Sequence, residues 1–252
     1  ARANYRQSCV DLQDGILQAA WDQINNFLHL CGAGITGVVQ RPDLTPYDYR
    51  QLQKAATVGA FSMSDDLNLP RPKAVTTVKP SGTISKVMGV TEGVHMPEGQ
   101  HVFNNVIFSN HDETLPLLRS AGYRVFPHPA DPTSSVVTFP VDWSDVKGFK
   151  KASNGKMVNA ESAISQLNRY KMMLDNYVDH NCSITVSYSE DEIPQIAEWL
   201  DRNWDSYVAV SFMPRFDASM SAEDLGFPYL PQSVVTKDEF NKYTSNLAPV
   251  DL

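Results

Sequence analysis

An α/β fold is the class this sequence predicts, and three observations predict it. Apolar segments of helical period alternate with short β-branched runs along the chain, the pattern that layers helices on a largely parallel sheet. The run TTVKPSGTIS over residues 76–85 reads as a buried strand passing through a turn into a helix start. No internal repeat, low-complexity tract or clear interdomain linker interrupts the 252 residues, so a single domain over 1–252 is expected.

Each element has its own signal. Residues 5–30 carry Val10, Leu12, Ile16, Leu17, Ala20, Trp21, Ile24, Phe27 and Leu28 at helical spacing, which predicts a first helix. Residues 32–40 are short, apolar and β-branched, as in a buried strand. Thr45-Pro46 opens a second helix, expected to run to about Phe61, because proline's missing N–H costs nothing in a first turn. Residues 65–73 read as a loop and 74–79 as the strand feeding the turn. Residues 101–110 and 136–140 are strand-like, with a helix over LPLLRSAGY between them. Residues 142–159 hold charges, Gly148, Gly155 and no period, so an exposed excursion is expected there. An amphipathic helix over 160–178, a strand over 182–188, a helix over 190–204 with Ile193, Ile196, Ala197 and Leu200 inward, and a last strand over 208–212 complete the order. The acids of Ser189-Glu190-Asp191-Glu192 read as an N-cap with charges on the positive helix end, without a catalytic role.

Composition narrows the function. With 42% hydrophobic and 20% charged residues the chain is ordinary globular protein with one sizeable core. A formal charge of −8 argues against nucleic-acid and anionic-membrane surfaces, so any phosphate must be bound locally. No run approaches the roughly 18 apolar residues of a membrane span, and no signal segment opens the chain. Three cysteines, Cys9, Cys31 and Cys182, predict no disulfide framework and a cytoplasmic location. The start at Ala1, within helix-like sequence, is read as that of a fragment, a split-gene product or a trimmed chain.

The turn over residues 76–85 carries the chemistry. Val75, Val78 and the threonines are strand formers, and Pro80 stops the ladder. Gly82 lets the backbone approach a ligand, and Ser81 and Thr83 can cap the helix or bond phosphate oxygens. The free N–H groups of such a helix start hold an anion without a lysine; a plain serine-capped βα turn is the alternative from these residues alone. Three other patterns carry less. Gly32-Ala33-Gly34-Ile35-Thr36-Gly37 matches the dinucleotide fingerprint GxGxxG, the basis of a Rossmann-type oxidoreductase reading. A helix precedes it, an extended run follows, and no acid stands about twenty residues on, so the context is wrong. His29/Cys31 and His180/Cys182 lack the paired spacing of structural zinc sites, so no metal is expected. Asn181-Cys182-Ser183 is a sequon that a buried strand would silence.

In their order, the KPSGT turn, GVTEGVH, LPLLRSAGY and VVTFPV between residues 76 and 141 resemble the barrel domain of the adenosylcobalamin-dependent (class II) ribonucleotide reductases. NCSITVSY over 181–188 and VAVSFMPRFD over 208–217 look like two later barrel strands, and GAGITGV over 32–38 like an earlier one. The resemblance implies the second half of a ten-stranded α/β barrel, in which 101–110 and 136–140 pair outside the barrel. It implies reduction of ribonucleotides to 2′-deoxyribonucleotides by thiyl-radical chemistry, with adenosylcobalamin as cofactor of the assembled enzyme. The substrate's phosphates would lie on Pro80, Ser81, Gly82, Thr83, Ile84 and Ser85, with Gly93, Val94 and His95 near the active-site mouth. The family's Asn-x-Cys-x-Glu thiyl loop and its terminal thiol pair are absent. No catalytic residue is therefore assigned here, the chain alone is not expected to turn over, and a partner segment with the thiyl loop and a thioredoxin-like reductant are implied. Residues 99–105 lack the arginines and tyrosines usual in the family, which leaves that segment no charge-based role. The class I barrel, with its separate dimetal radical subunit, is the near alternative; the absence of a Tyr-Tyr pair favours cobalamin. A scaffold that keeps the fold but binds nothing is the third reading, which the intact PSGT turn opposes.

Overall fold

The computed structural model describes residues 32–215, 220, 222–223 and 225–250. The helix expected over residues 5–30, with Cys9, His29 and Cys31, lies outside them. In chain order the elements are β1 (Ala33–Ile35), a 3-10 turn (Val38–Gln40), α1 (Pro46–Asp66), β2 (Thr76–Val78), α2 (Ile84–Val87), β3 (His101–Ser109), α3 (Thr114–Ser120), β4 (Val125–Pro127) and β5 (Ser134–Asp142). Then come β6 (Phe149–Lys151), β7 (Met157–Asn159), α4 (Ala163–Asn176), β8 (Thr185–Tyr188), a second 3-10 turn (Glu190–Glu192), α5 (Ile193–Arg202), β9 (Ser211–Pro214), β10 (Gln232–Val234) and α6 (Lys237–Thr244).

A row of parallel strands organises the site. β1 pairs with β2 in the register Ala33↔Thr76, and β8 with β9 in the register Thr185↔Ser211. A parallel bridge from Val78 to Cys182 joins the two pairs into the order β1-β2-β8-β9. All three residues of β2 are buried, as expected for a central parallel strand. α4 lies over this row. Ser162 caps it by accepting from Ser165 N–H, and its inward stripe is Ala163, Leu167, Tyr170 and Met173. That stripe meets Val78, Cys182, Ile184 and Val186, with Ile196 and Trp199 of α5, in the main core. The hydroxyl of Tyr177 donates to Ala33 O at 2.9 Å and that of Tyr170 to Ala209 O at 3.1 Å, tying the helix region to both ends of the row.

A second, antiparallel sheet, in the order β10-β3-β5-β4, stands beside the row. β3 and β5 pair from His101↔Asp142 to Ser109↔Ser134, so the strands expected at 101–110 and 136–140 pair with each other and the second starts two residues earlier. β10 and α6 were not anticipated; α6 docks through Phe240, stacked on His101 with ring centroids 4.9 Å apart.

Several boundaries differ from the sequence reading, each for a local reason. The strand expected over 32–40 ends at Ile35, because Gly37 takes φ 75° and turns the chain into the first 3-10 turn. α1, held by a Thr45/Asp48 capping box, continues past Phe61 to Asp66. The strand expected over 74–79 is shorter, Thr76–Val78. The helix expected over 190–204 starts as a 3-10 turn whose capping box turns Glu192 inward, so Ile193 is 48% exposed and Trp199 faces the core instead. The last parallel strand is Ser211–Pro214, not 208–212. The largest correction concerns residues 142–159. Trp143 and Val146 are buried with Met96 and Val102, and β6 and β7 form a hairpin that Val158 bridges to Gly99. Two apolar anchors thus pin the segment, although neither repeats at a helical or strand period. Gly99 allows the contact, since a Cβ there would stand 2.3 Å from Val234 Cγ1 and 2.8 Å from Met157 O.

Candidate active site

A cavity of about 420 Å3 lies just past the end of β2 and along one face of β8. β8 builds one wall by strict alternation. Ser183, Thr185 and Ser187 line the cavity, while Cys182, Ile184 and Val186 enter the helix-side core. Gln166 of α4 fixes the end of this wall from behind: its Nε2 donates to Ser187 O at 2.9 Å and its Oε1 accepts from Ser187 N–H at 3.0 Å. Arg215 donates to the same carbonyl at 3.1 Å. Cys182 faces away from the cavity, and burial pushes its thiol up to about 12, so it stays a protonated packing group.

The turn after β2 forms the rim. Pro80 lines the cavity, and the chain passes through Ser81 with φ 56°. The left-handed residue is therefore the serine, not Gly82. Gly82, Thr83 and Ile84 are exposed, and α2 is a single turn in which Thr83 makes no side-chain cap. Among the described residues nothing accepts from the N–H groups of Gly82 and Thr83. Ser85 is fully buried, and its hydroxyl has no partner among the described residues. Lys86 and Glu92, which the sequence reading did not single out, close the rim as an ion pair, and Lys86 Nζ also donates to Gly82 O at 3.1 Å.

Residues 91–95 connect rim and wall. Gly93, with φ 48°, donates through its N–H to Thr36 Oγ1 at 2.7 Å, and a Cβ there would sit 3.0 Å from Lys79 O. Val94 is wholly buried in the main core, and its carbonyl accepts from Arg169 Nε at 2.8 Å. His95 lines the cavity, and its Nε2 accepts from Thr185 N–H at 3.1 Å, which places the ring proton on Nδ1. Burial lowers its pKa below 6.5, with Glu92 pulling the other way. Across the cavity Glu98 and Gln232 complete the polar lining, and burial raises the Glu98 carboxyl above its ordinary range against the pull of Arg215. The structure thus brings Pro80 and His95 to one cavity, leaves Gly82 to Ile84 outside on its rim, and puts Val94 in the core. The residues missed, Ser183, Thr185 and Ser187, were signalled by the polar–apolar alternation in NCSITVSY.

The geometry bears on two other sequence patterns. Gly32 to Gly37 lead from a strand into a 3-10 turn and not into a helix, so the phosphate-binding geometry of the dinucleotide fingerprint is missing. His180 bonds Ala74 O at 3.1 Å while Cys182 is buried. Among the described residues no group of three or more His, Cys, Asp or Glu side chains could hold a metal ion.

No family model matches the chain. It is 30% identical over 189 residues to a probable adenosylcobalamin-dependent ribonucleoside-triphosphate reductase of Dictyostelium discoideum, an overlap of 75% of this chain and 23% of the relative. It is 29% identical over 184 residues to the adenosylcobalamin-dependent ribonucleoside-triphosphate reductase of Lactobacillus gasseri, an overlap of 73% and 23%. Its fold matches the crystal structure of a B12-dependent (class II) ribonucleotide reductase with a TM-score of 0.65 and 23% identity, over 81% of this chain and 27% of that one. The resemblance to class II reductases is borne out. The chain spans about a quarter of the length of the relatives and the structure it matches.

Proposed function

We propose that this chain supplies the second half of the catalytic barrel of an adenosylcobalamin-dependent ribonucleotide reductase, and that Pro80, Ser81, Gly82, Thr83, Ile84 and Ser85 hold the phosphates of its ribonucleotide substrate. The observation that carries the reading is the pair of uncommitted N–H groups at Gly82 and Thr83 on the rim of a cavity walled by hydroxyls. Backbone donors left open at a strand-to-helix turn suit phosphate oxygens. Lys86 stands beside them, and an incoming phosphate would compete with Glu92 for its charge. The base and sugar would then lie against Ser183, Thr185 and Ser187, with Glu98 and Gln232 opposite. Gln166 and His95 hold that wall still by bonding the backbone of Ser187 and Thr185.

The cofactor named for the relatives would supply the radical. The cavity lies within the roughly 300–1,000 Å3 of small-ligand clefts, at about 420 Å3, and a nucleotide fills such a space; a corrin ring with its tail does not fit it. We assign adenosylcobalamin to the assembled enzyme. The thiyl loop, the remaining strands and the reducing thiols would come from a partner segment, working with a thioredoxin-like reductant.

Two substitutions test the phosphate site. At Gly82 the nearest atom to an added Cβ is Glu92 Oε2 at 3.8 Å, so Gly82→Val should leave the fold intact while blocking the rim. The expected result in the assembled enzyme is a higher substrate dissociation constant with an unchanged melting profile. Glu92→Gln should do the opposite and tighten phosphate binding by freeing Lys86. Unchanged substrate binding in the Gly82→Val protein would sink the proposal.

A further inference from the structure

A second cavity, of about 390 Å3, lies between the segment from Val38 to Tyr49 and α4. Met96 lines both cavities and separates them. Apolar walls come from Val38, Leu44 and Met172. Two polar groups on the lining have no partner among the described residues. Tyr49 is only 2% exposed as a residue, and its hydroxyl, which stays accessible, bonds none of the described residues. Lys147 pairs with no carboxylate among the described residues. The remaining cations of the lining are engaged: Arg41 by Asp43 at 2.7 Å, and Arg169 by both oxygens of Glu161 at 2.5 and 2.6 Å.

We infer that this cavity binds a small amphipathic carboxylate, its apolar body against Val38, Leu44 and Met172 and its head group held by Lys147 and the Tyr49 hydroxyl. One uncommitted ammonium and one uncommitted hydroxyl donor match a single negative charge with directed lone pairs. Burial raises the Tyr49 pKa, which keeps the phenol protonated as a donor. The volume lies within the range of small-molecule sites, roughly 300–1,000 Å3.

Hexanoate is the probe and 1-hexanol its uncharged control. The chain carries 13C at its methionine methyls, with the partner segment present where a dispersed spectrum needs it, and each compound is titrated in. Met172 lines only this cavity and Met213 only the first, so the two sites report separately. The expected result is a saturable shift of Met172 and Met96 with hexanoate, Met213 unmoved, and binding of 1-hexanol weaker by about tenfold or more. Tyr49→Phe keeps the packing and Lys147→Gln lies at the surface; each should weaken hexanoate by about tenfold. An unmoved Met172, equal binding of acid and alcohol, or wild-type affinity in both variants overturns the inference.

Discussion

His95 shows how one side chain can set the chemistry of a wall it does not belong to. Its Nε2 must stay unprotonated to accept from Thr185 N–H, and burial holds its pKa below 6.5. A lowered histidine pKa means that the unfolded chain binds the extra proton first. Its contribution to stability is therefore complete above the unfolded value and is lost as pH falls through the lower folded value. Measured on the chain assembled with its partner segment, melting midpoints from about pH 8 to about pH 5 should drop in the wild-type protein on the acid side, and the drop should shrink in His95→Gln. A slope identical in the two proteins would remove His95 from this role. Gly93 gives a second residue-scale expectation. With φ 48° and Lys79 O 3.0 Å from any added Cβ, Gly93→Ala should cost about 1–3 kcal/mol, read by denaturant unfolding of the same assembly. Gly82→Ala, with open space and no positive φ, should cost well under that.

Among the elements, the starts of α4 and α5 share one carboxylate. Glu192 Oε1 accepts from Ala163 N–H at the start of α4, and its Oε2 accepts from Ser189 N–H ahead of α5. Burial alone would raise this carboxyl; the donors from Ser189 and Ala163, with Arg215 nearby, outweigh it and bring the pKa below 4.5. A depressed carboxylate stabilises the fold above its unfolded pKa and loses that effect as pH falls through the folded one. Glu192→Gln should cost about 1 kcal/mol near neutral pH and flatten the acid limb of the stability curve; an acid limb as steep as wild type would count against it. The Ser189–Glu192 cap was legible because a capping box is written in four consecutive residues. Trp143 and Val146 were not, since their burial comes from Met96 and Val102, residues distant in sequence and without a shared period. Trp143→Ala should therefore destabilise the assembled protein by about 3–5 kcal/mol, a value no exposed excursion would give in a denaturant melt.

On the scale of the whole molecule, the row β1-β2-β8-β9 has ends that no described strand covers, and every residue of β9 is exposed. Unpaired strand edges and apolar groups such as Phe212 and Met213, each 37% exposed, invite association. Purified alone, the chain is expected to elute as aggregate or as an expanded species, and to become compact with the segment carrying the thiyl loop. A monodisperse, cooperatively melting monomer would contradict this. The alternation of helix and strand was legible from periodicity alone, and the rim turn from its proline, serine and glycine. The cavity was only half legible. Pro80 and His95 reach it from motifs, and Lys86 and Glu92 are their near neighbours in sequence, whereas Ser183, Thr185 and Gln232 arrive from separate segments that only the tertiary fold brings together.

The two-faced β8 also restricts how this sequence can change length. A strand turns alternate residues to opposite sides, so losing one residue from the loop just before Cys182 would exchange the faces. Ser183, Thr185 and Ser187 would enter the core under α4, and Ile184 and Val186 would stand in the cavity. Removing two residues keeps every face and shifts only the rung. In a deletion scan through the loop before β8, tolerance should follow the parity of the deletion more closely than its length.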